Sequence, residues 1–248
     1  MRAGCAVSRV AVEAEEPVLA IRGRDVAVTA VVLALTAAAF AAVADHGLLA
    51  HIQRADDWWL RLMISGRLAP VTLIAKVFNV LGLVYVTLPV RLAVAGFLAL
   101  RRRWWHLAAF AAAVVLSEVL IGLLKGIYDR GRPAGSLVAT SGASFPSGHS
   151  VAATVTVVAA VIALVPPGPR RVAWGTAAAG FSVLMALSRA YLGAHWLSDA
   201  LAGVLLGTSC ALLAALAVSV LQRRWNADRP DRSAHSPVPD TARPADKR

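Results

Sequence analysis

The sequence predicts an all-α, polytopic membrane protein, a bundle of about six transmembrane helices. Three observations lead there. Hydrophobic residues fill 58% of the 248 positions and charged residues only 16%, against about 25% charged in a soluble domain. Apolar runs near the ~20 residues that a bilayer asks of a helix recur along the chain. The basic residues gather in the tails and in short connections between those runs, where they set orientation. The net charge of +11 is therefore read as topology, and nucleic acid is not expected as a partner.

Residues 1–25 read as an N-terminal cytoplasmic tail, with Arg2, Arg9, Arg22 and Arg24 set against Glu13, Glu15, Glu16 and Asp25. Val26–Ala44 is the first span. Ala42-Val43-Ala44 resembles a signal cleavage site, but the preceding region is long and the apolar run over-long, so an uncleaved span is expected. Residues 45–70 contain Asp56-Asp57-Trp58-Trp59 and Arg61 and read as an amphipathic helix in the membrane interface, where tryptophan settles. Val71–Leu100 is the second span, interrupted by Pro89 and carrying Lys76, Asn79 and Arg91.

Arg101-Arg102-Arg103 leads into the third span, Trp104–Lys125, with Glu118 inside it. An unpaired charge in an apolar span is expensive, so Arg91 and Glu118, on consecutive antiparallel spans, are expected to pair. Gly126–Pro146 is a polar loop. His149–Val165 is the fourth span, Pro166–Arg171 a basic turn, Val172–Arg189 the fifth span and Leu197–Leu221 the sixth. The transmembrane domain is thus residues 26–221. Residues 222–248, rich in Pro, Arg, Asp and Ser, read as a disordered cytoplasmic tail. Cys5 and Cys210 are expected at different depths and unbonded. The positive-inside rule puts the Arg-rich connections in the cytoplasm of a plasma membrane. The loops 45–70, 126–148 and 190–194 then face outward.

That outward side collects the reactive residues. Pro146 stops any helix before it, and Ser147 is a good N-cap, so a helix is expected from Gly148 or His149. Its first amides have no intrahelical partner, and Gly148 leaves them open to an anion. Lys125 ends the third span, Arg132 follows in the loop, and Arg189 ends the fifth. Three cations at one face are costly without a polyanion between them, and a phosphoryl group is the natural one. His195 and Asp199 are four apart and share a helix face. The carboxylate can hold the imidazole in one tautomer while the other ring nitrogen attacks phosphorus. His149, on another helix, suits the leaving oxygen as acid. Each residue has a plain structural reading alone: Lys125 as a snorkelling end, His195–Asp199 as a helix pair. Their convergence on one face is what carries chemistry. No Cys/His or carboxylate cluster of metal-ligand type occurs, so neither metal nor other cofactor is expected.

Lys125-x6-Arg132-Pro133, Pro146-Ser147-Gly148-His149 and Ser188-Arg189-x5-His195-x3-Asp199 resemble the three-part signature of the type 2 phosphatidic acid phosphatases. That superfamily includes the vanadium haloperoxidases and bacterial acid phosphatases. The resemblance implies His195 as nucleophile, His149 as acid and Asp199 as the group that orients His195. It further implies that Lys125, Arg132, Ser147, Gly148 and Arg189 bind phosphate without a metal. The apolar spans favour the membrane branch over the soluble haloperoxidases. The expected activity is hydrolysis of a lipid phosphate: an isoprenoid diphosphate, phosphatidylglycerophosphate or phosphatidic acid. A phosphotransferase with a hydroxyl acceptor is the alternative, and an anion transporter a further one. The expected partners are the lipid phosphate and the bilayer; no protein partner is legible.

Orientation yields the first testable expectation. Cysteines introduced near Ser136 or Ser141 react with an impermeant thiol reagent added outside intact cells, and cysteines in the Pro166–Arg171 turn do not. The reverse labelling pattern would place the reactive loops in the cytoplasm.

Overall fold

Helix boundaries in this chain follow local stop and start chemistry. The computed structural model describes residues 15–19 and 21–228. The expectations for residues 1–14 and 229–248, Cys5 among them, lie outside the described residues. Within them are eight helices: α1 Gly23–Ala44, α2 His46–Ser65, α3 Ala69–Leu81, α4 Val84–Leu100, α5 Trp104–Tyr128, α6 Gly148–Leu164, α7 Pro169–Tyr191 and α8 Leu197–Ala227. Asp45 ends α1 and caps α2, its carboxylate accepting Leu48 N–H at 2.8 Å. Ser147 caps α6. Asp129, in the left-handed region, ends α5.

Two boundaries depart from expectation. The stretch 71–100 is broken, but not at Pro89. It is α3 and α4, bent by 53°, and the break falls at Gly82-Leu83, while Pro89 sits inside α4 without ending it. The cause is a close approach. A Cβ on Gly82 would lie 2.6 Å from Cδ2 of His149, so only glycine lets the chain turn there. Residues 15–19, read as part of a loose tail, are instead docked. Val18 is fully buried. The amides of Val18 and Leu19 donate to Gln222 Oε1 and Ser219 Oγ on α8, and Glu15 accepts from the Trp105 amide and meets His106 Nδ1 at 2.8 Å.

Among the described residues, three helices, α1, α5 and α8, are long and apolar enough to cross a membrane. The bent pair α3–α4 makes a fourth if it is one span, and α6 is apolar but only 17 residues long. Length and composition therefore give three or four spans, and the count of six rests on the sequence reading. α2 is amphipathic as expected: Asp56 faces inward, buried, while Trp58 and Leu62 are exposed. Large apolar side chains also stand exposed on α1, α3, α4 and α5, among them Val31, Leu73, Leu92 and Val119, as suits helices solvated by lipid.

α8 runs through the middle, packed against α1, α5, α6 and α7. Its contact with α6 is the tightest. A Cβ on Gly203 would lie 2.8 Å from the Ser147 carbonyl oxygen, and one on Gly207 2.8 Å from that of Val151. Glycines four apart let the two backbones touch, the packing device of helices in lipid. The expected charge pair is present, with Arg91 mostly buried and Glu118 on the outer surface. Arg91 Nη1 lies 2.7 Å from Glu118 Oε1, and Arg91 Nε donates to Thr156 Oγ1 at 2.9 Å, tying α4, α5 and α6 together.

Gly203→Ala should separate α6 from α8 and cost about 1–3 kcal/mol of overpacking. The measurement is the thermal unfolding midpoint in detergent. Gly96→Ala, with nothing within 4 Å of its added carbon, is the control and should not lower it.

Candidate active site

Four chain segments meet at one end of the bundle. The last turn of α5 supplies Lys125, the loop after it Arg132, the start of α6 Gly148 and His149, and the end of α7 with its following turn Arg189 and His195. These six residues, with Ala139, Thr140 and Ser141, line one cavity of about 330 Å³. The other two expected residues stand behind it. Ser147 is fully buried as the cap of α6, its Oγ accepting the Ser150 amide. Asp199 is fully buried in the first turn of α8. The Ser147 amide donates to the Asp199 carbonyl at 3.1 Å, so the two helix starts are locked together.

The cations are held by neutral oxygens, not by counter-ions. Lys125 Nζ donates to the Ala143 carbonyl at 2.6 Å. Arg132 spreads over four carbonyls, those of Gly142, Ser141, Ala143 and Ala194. Arg189, 2% exposed, donates through Nη1 to Asn79 Oδ1 on α3. Its Nε and the Nε2 of His149 are buried with no hydrogen-bond partner. Both atoms keep hydrogen-bonding capacity beside cations that no carboxylate neutralises.

His195 is placed for chemistry through one nitrogen. Nδ1 lies 2.7 Å from the Ser144 carbonyl oxygen. A carbonyl only accepts, so Nδ1 carries the proton and Nε2 keeps its lone pair. Nε2 sits 3.2 Å from Arg132 Nη1. Burial, then the charges of Arg189, Arg132 and Lys125, hold this imidazole well below its ordinary range; the Ser144 bond opposes them. The ring is therefore neutral at neutral pH, with Nε2 unprotonated.

The link between Asp199 and His195 differs from the direct pair that their spacing suggests. Asp199 Oδ2 accepts from Ser144 Oγ and from the Trp196 amide at 3.2 Å, while the Ser144 carbonyl holds His195. Ser144 thus stands between the carboxylate and the ring. His195 precedes the helix, in the turn before α8, so the i, i+4 geometry that joins side chains within a helix does not apply.

Sequence reasoning missed Ser144, Asn79 and Gly82. Ser144 stands two residues before the Pro146–His149 motif, with no periodic relation to Asp199. Asn79 left a trace as a polar residue inside an apolar span. Gly82 left none beyond being a glycine.

The chain matches the family described as the PAP2 superfamily over residues 102–226, half of its length. Its fold is similar to that of the first transmembrane PAP2 type phosphatidylglycerolphosphate phosphatase from Bacillus subtilis. There the TM-score is 0.66 at 24% identity, over 81% of this chain and 98% of that one. It is also similar to LpxE of Aquifex aeolicus, with a TM-score of 0.52 at 24% identity, over 62% of this chain and 91% of that one. No curated protein matches the sequence.

The depressed basicity of His195 has a sign that can be measured. In the unfolded chain the imidazole takes a proton near its ordinary value of 6.5, and in the folded chain only at lower pH. Stability should therefore fall as pH drops below the unfolded value, because the unfolded state binds the extra proton. Nitrogen NMR of histidine-labelled protein, with His195 assigned by substitution, should show the ring neutral at pH 6.5.

Proposed function

We propose that this chain, which belongs to the PAP2 superfamily, is a membrane lipid-phosphate phosphatase working through a phosphohistidine. One observation carries the reading: a single cavity collects Lys125, Arg132, Arg189, Gly148 and both histidines, with the unprotonated nitrogen of His195 beside the Arg132 guanidinium. Cations in place of carboxylates suit direct binding of an anion and leave little for a metal ion to coordinate.

The chemistry follows from the geometry. The three cations and the first amides of α6 hold the phosphoryl oxygens and neutralise the charge that spreads over them in the transition state. His195 Nε2 attacks phosphorus. The N–P bond forms as the P–O bond to the lipid breaks, and the leaving oxygen takes a proton from His149. Water then attacks the phosphohistidine, giving its proton to His149. The N–P bond breaks toward His195, and inorganic phosphate leaves. As the ring becomes cationic, Asp199 stabilises it by way of Ser144.

The substrate class is a lipid phosphate with a small head group, since a cavity of about 330 Å³ and short loops leave little room for a large one. Phosphatidic acid, an isoprenoid diphosphate and phosphatidylglycerophosphate all fit that description. The Bacillus subtilis protein of similar fold is named for the last. The basic connections argue for a plasma membrane with the cavity on the extracytoplasmic face.

Purified protein in detergent should release phosphate from one or more of these lipids in excess EDTA, and vanadate, a mimic of pentacoordinate phosphorus, should inhibit. Turnover quenched in alkaline detergent should trap an acid-labile, alkali-stable label on His195. His195→Ala should remove the label and lower kcat by about 10⁴-fold or more. His149→Ala should cost about 10²–10⁴-fold on alkyl esters and less on aryl esters, whose leaving group needs little proton assistance. Activity that vanishes in EDTA and returns with magnesium, or label on His149, refutes this mechanism.

A further inference from the structure

A second polar cluster lies behind His195, on the side away from the cavity, and none of its members belongs to the three motifs except Asp199. Arg130, 9% exposed, is its centre. Its Nη1 donates to Asp199 Oδ1 at 2.5 Å and to Ser198 Oγ at 2.8 Å. Its Nη2 donates to Gln53 Oε1 at 2.7 Å and to Asp56 Oδ2 at 2.9 Å. The guanidinium also lies over the Trp196 ring, 5.7 Å from its centroid.

Asp56, 3% exposed, has a second task. Its Oδ1 accepts the Ser198 amide at 2.9 Å and its Oδ2 the Ser198 hydroxyl at 2.5 Å. Ser198 is the second residue of α8, so its amide is one of the donors that a helix start leaves unpaired. The carboxylate that satisfies it comes from α2, the amphipathic helix outside the matched residues 102–226.

We propose that Asp56 and Arg130 are positioning residues: a buried carboxylate–guanidinium–carboxylate chain from α2 that fixes Asp199 and, through Ser144, the imidazole of His195. This rests on the phosphatase reading above. The charge arithmetic explains why two carboxylates are present. A buried Asp199 needs a counter-ion. One guanidinium given to it alone would cancel its charge. Shared between Asp56 and Asp199, the same guanidinium leaves the cluster with one net negative charge on the Nδ1 side of His195. Lys125 from α5, Arg132 from the loop and Arg189 from α7 line the cavity together with His149 from α6. When Nε2 bonds to phosphorus the ring becomes cationic, and the negative cluster opposes those three cations. Asp56 meanwhile pins the first turn of α8, on which Asp199 rides.

The test is made on the full chain in detergent micelles, with dioctanoyl phosphatidic acid as substrate and inorganic vanadate as the site probe. Asp56→Asn keeps the shape and removes the charge; Arg130→Lys keeps the charge and removes the fork. Each should lower kcat tenfold or more, a small misplacement being worth about 10²-fold. KM and vanadate affinity should stay within about twofold, since the phosphate ligands are untouched. Asp56→Asn combined with Arg130→Lys should be no worse than the poorer single variant. Gln53→Leu, which loses one bond to Arg130 and no charge, should give a smaller fall in kcat, and it reads the same chain if Asp56→Asn does not fold. Nitrogen NMR of His195 supplies a readout free of turnover: one Nδ1-protonated tautomer in the unmodified protein and a mixture in the variants. Wild-type kcat and an unchanged tautomer in the folded variants overturn the proposal, as do losses confined to KM or strictly additive losses. If the unmodified protein hydrolyses no lipid phosphate, the phosphatase reading falls, and the tautomer alone still decides the positioning claim.

Discussion

Lys125, Arg132 and Arg189 share one small cavity with no carboxylate inside it, and like charges brought together repel most strongly where water is scarce. Much of the local architecture is the set of restraints that keeps them there. Arg132 is held by four loop carbonyls, Lys125 by a fifth bond to the Ala143 carbonyl, and Arg189 by the amide oxygen of Asn79. Neutral oxygens fix the cations without cancelling their charge, which stays available to an anion.

The same constraint explains the central place of α8. It carries Asp199, and the turn before it carries His195, so its first turn must stand at a fixed height against the start of α6. Gly203 and Gly207 allow contact closer than any side chain permits, and the hydrogen bond from Ser147 to Asp199 joins the two helix starts. Gly82 plays a related part. The bend between α3 and α4 brings backbone against His149, and the same bent unit supplies Asn79 to Arg189. At the other end of α8, the docked residues 15–19 bond to Ser219 and Gln222, so both ends of the central helix are restrained.

Much of this was legible in the amino-acid order. Apolar runs and the placing of arginines announced a helical membrane protein, because lipid admits few backbone solutions and each needs a long uncharged segment. The eight residues that the three motifs named all lie at or behind the cavity, since helix caps and helix ends are local features. The Arg91–Glu118 pair was legible for a related reason: two opposite charges in neighbouring apolar spans have few other partners.

What the order of residues left open were contacts between segments far apart in the chain. His195 and Asp199 are four apart, yet Ser144, from a different loop, stands between them. Asp56 sits more than a hundred residues before Asp199, and nothing periodic connects the two. Pro89 looked like the break in the second span, but the break fell at Gly82, because a backbone contact with His149, not a propensity, decided it. Sequence by itself determined which segments are helical, which chemistry the end of the bundle holds and which charges must find partners. Tertiary structure decided through which atoms those partners meet, since hydrogen bonds between distant segments depend on how helices pack and leave no period in the chain.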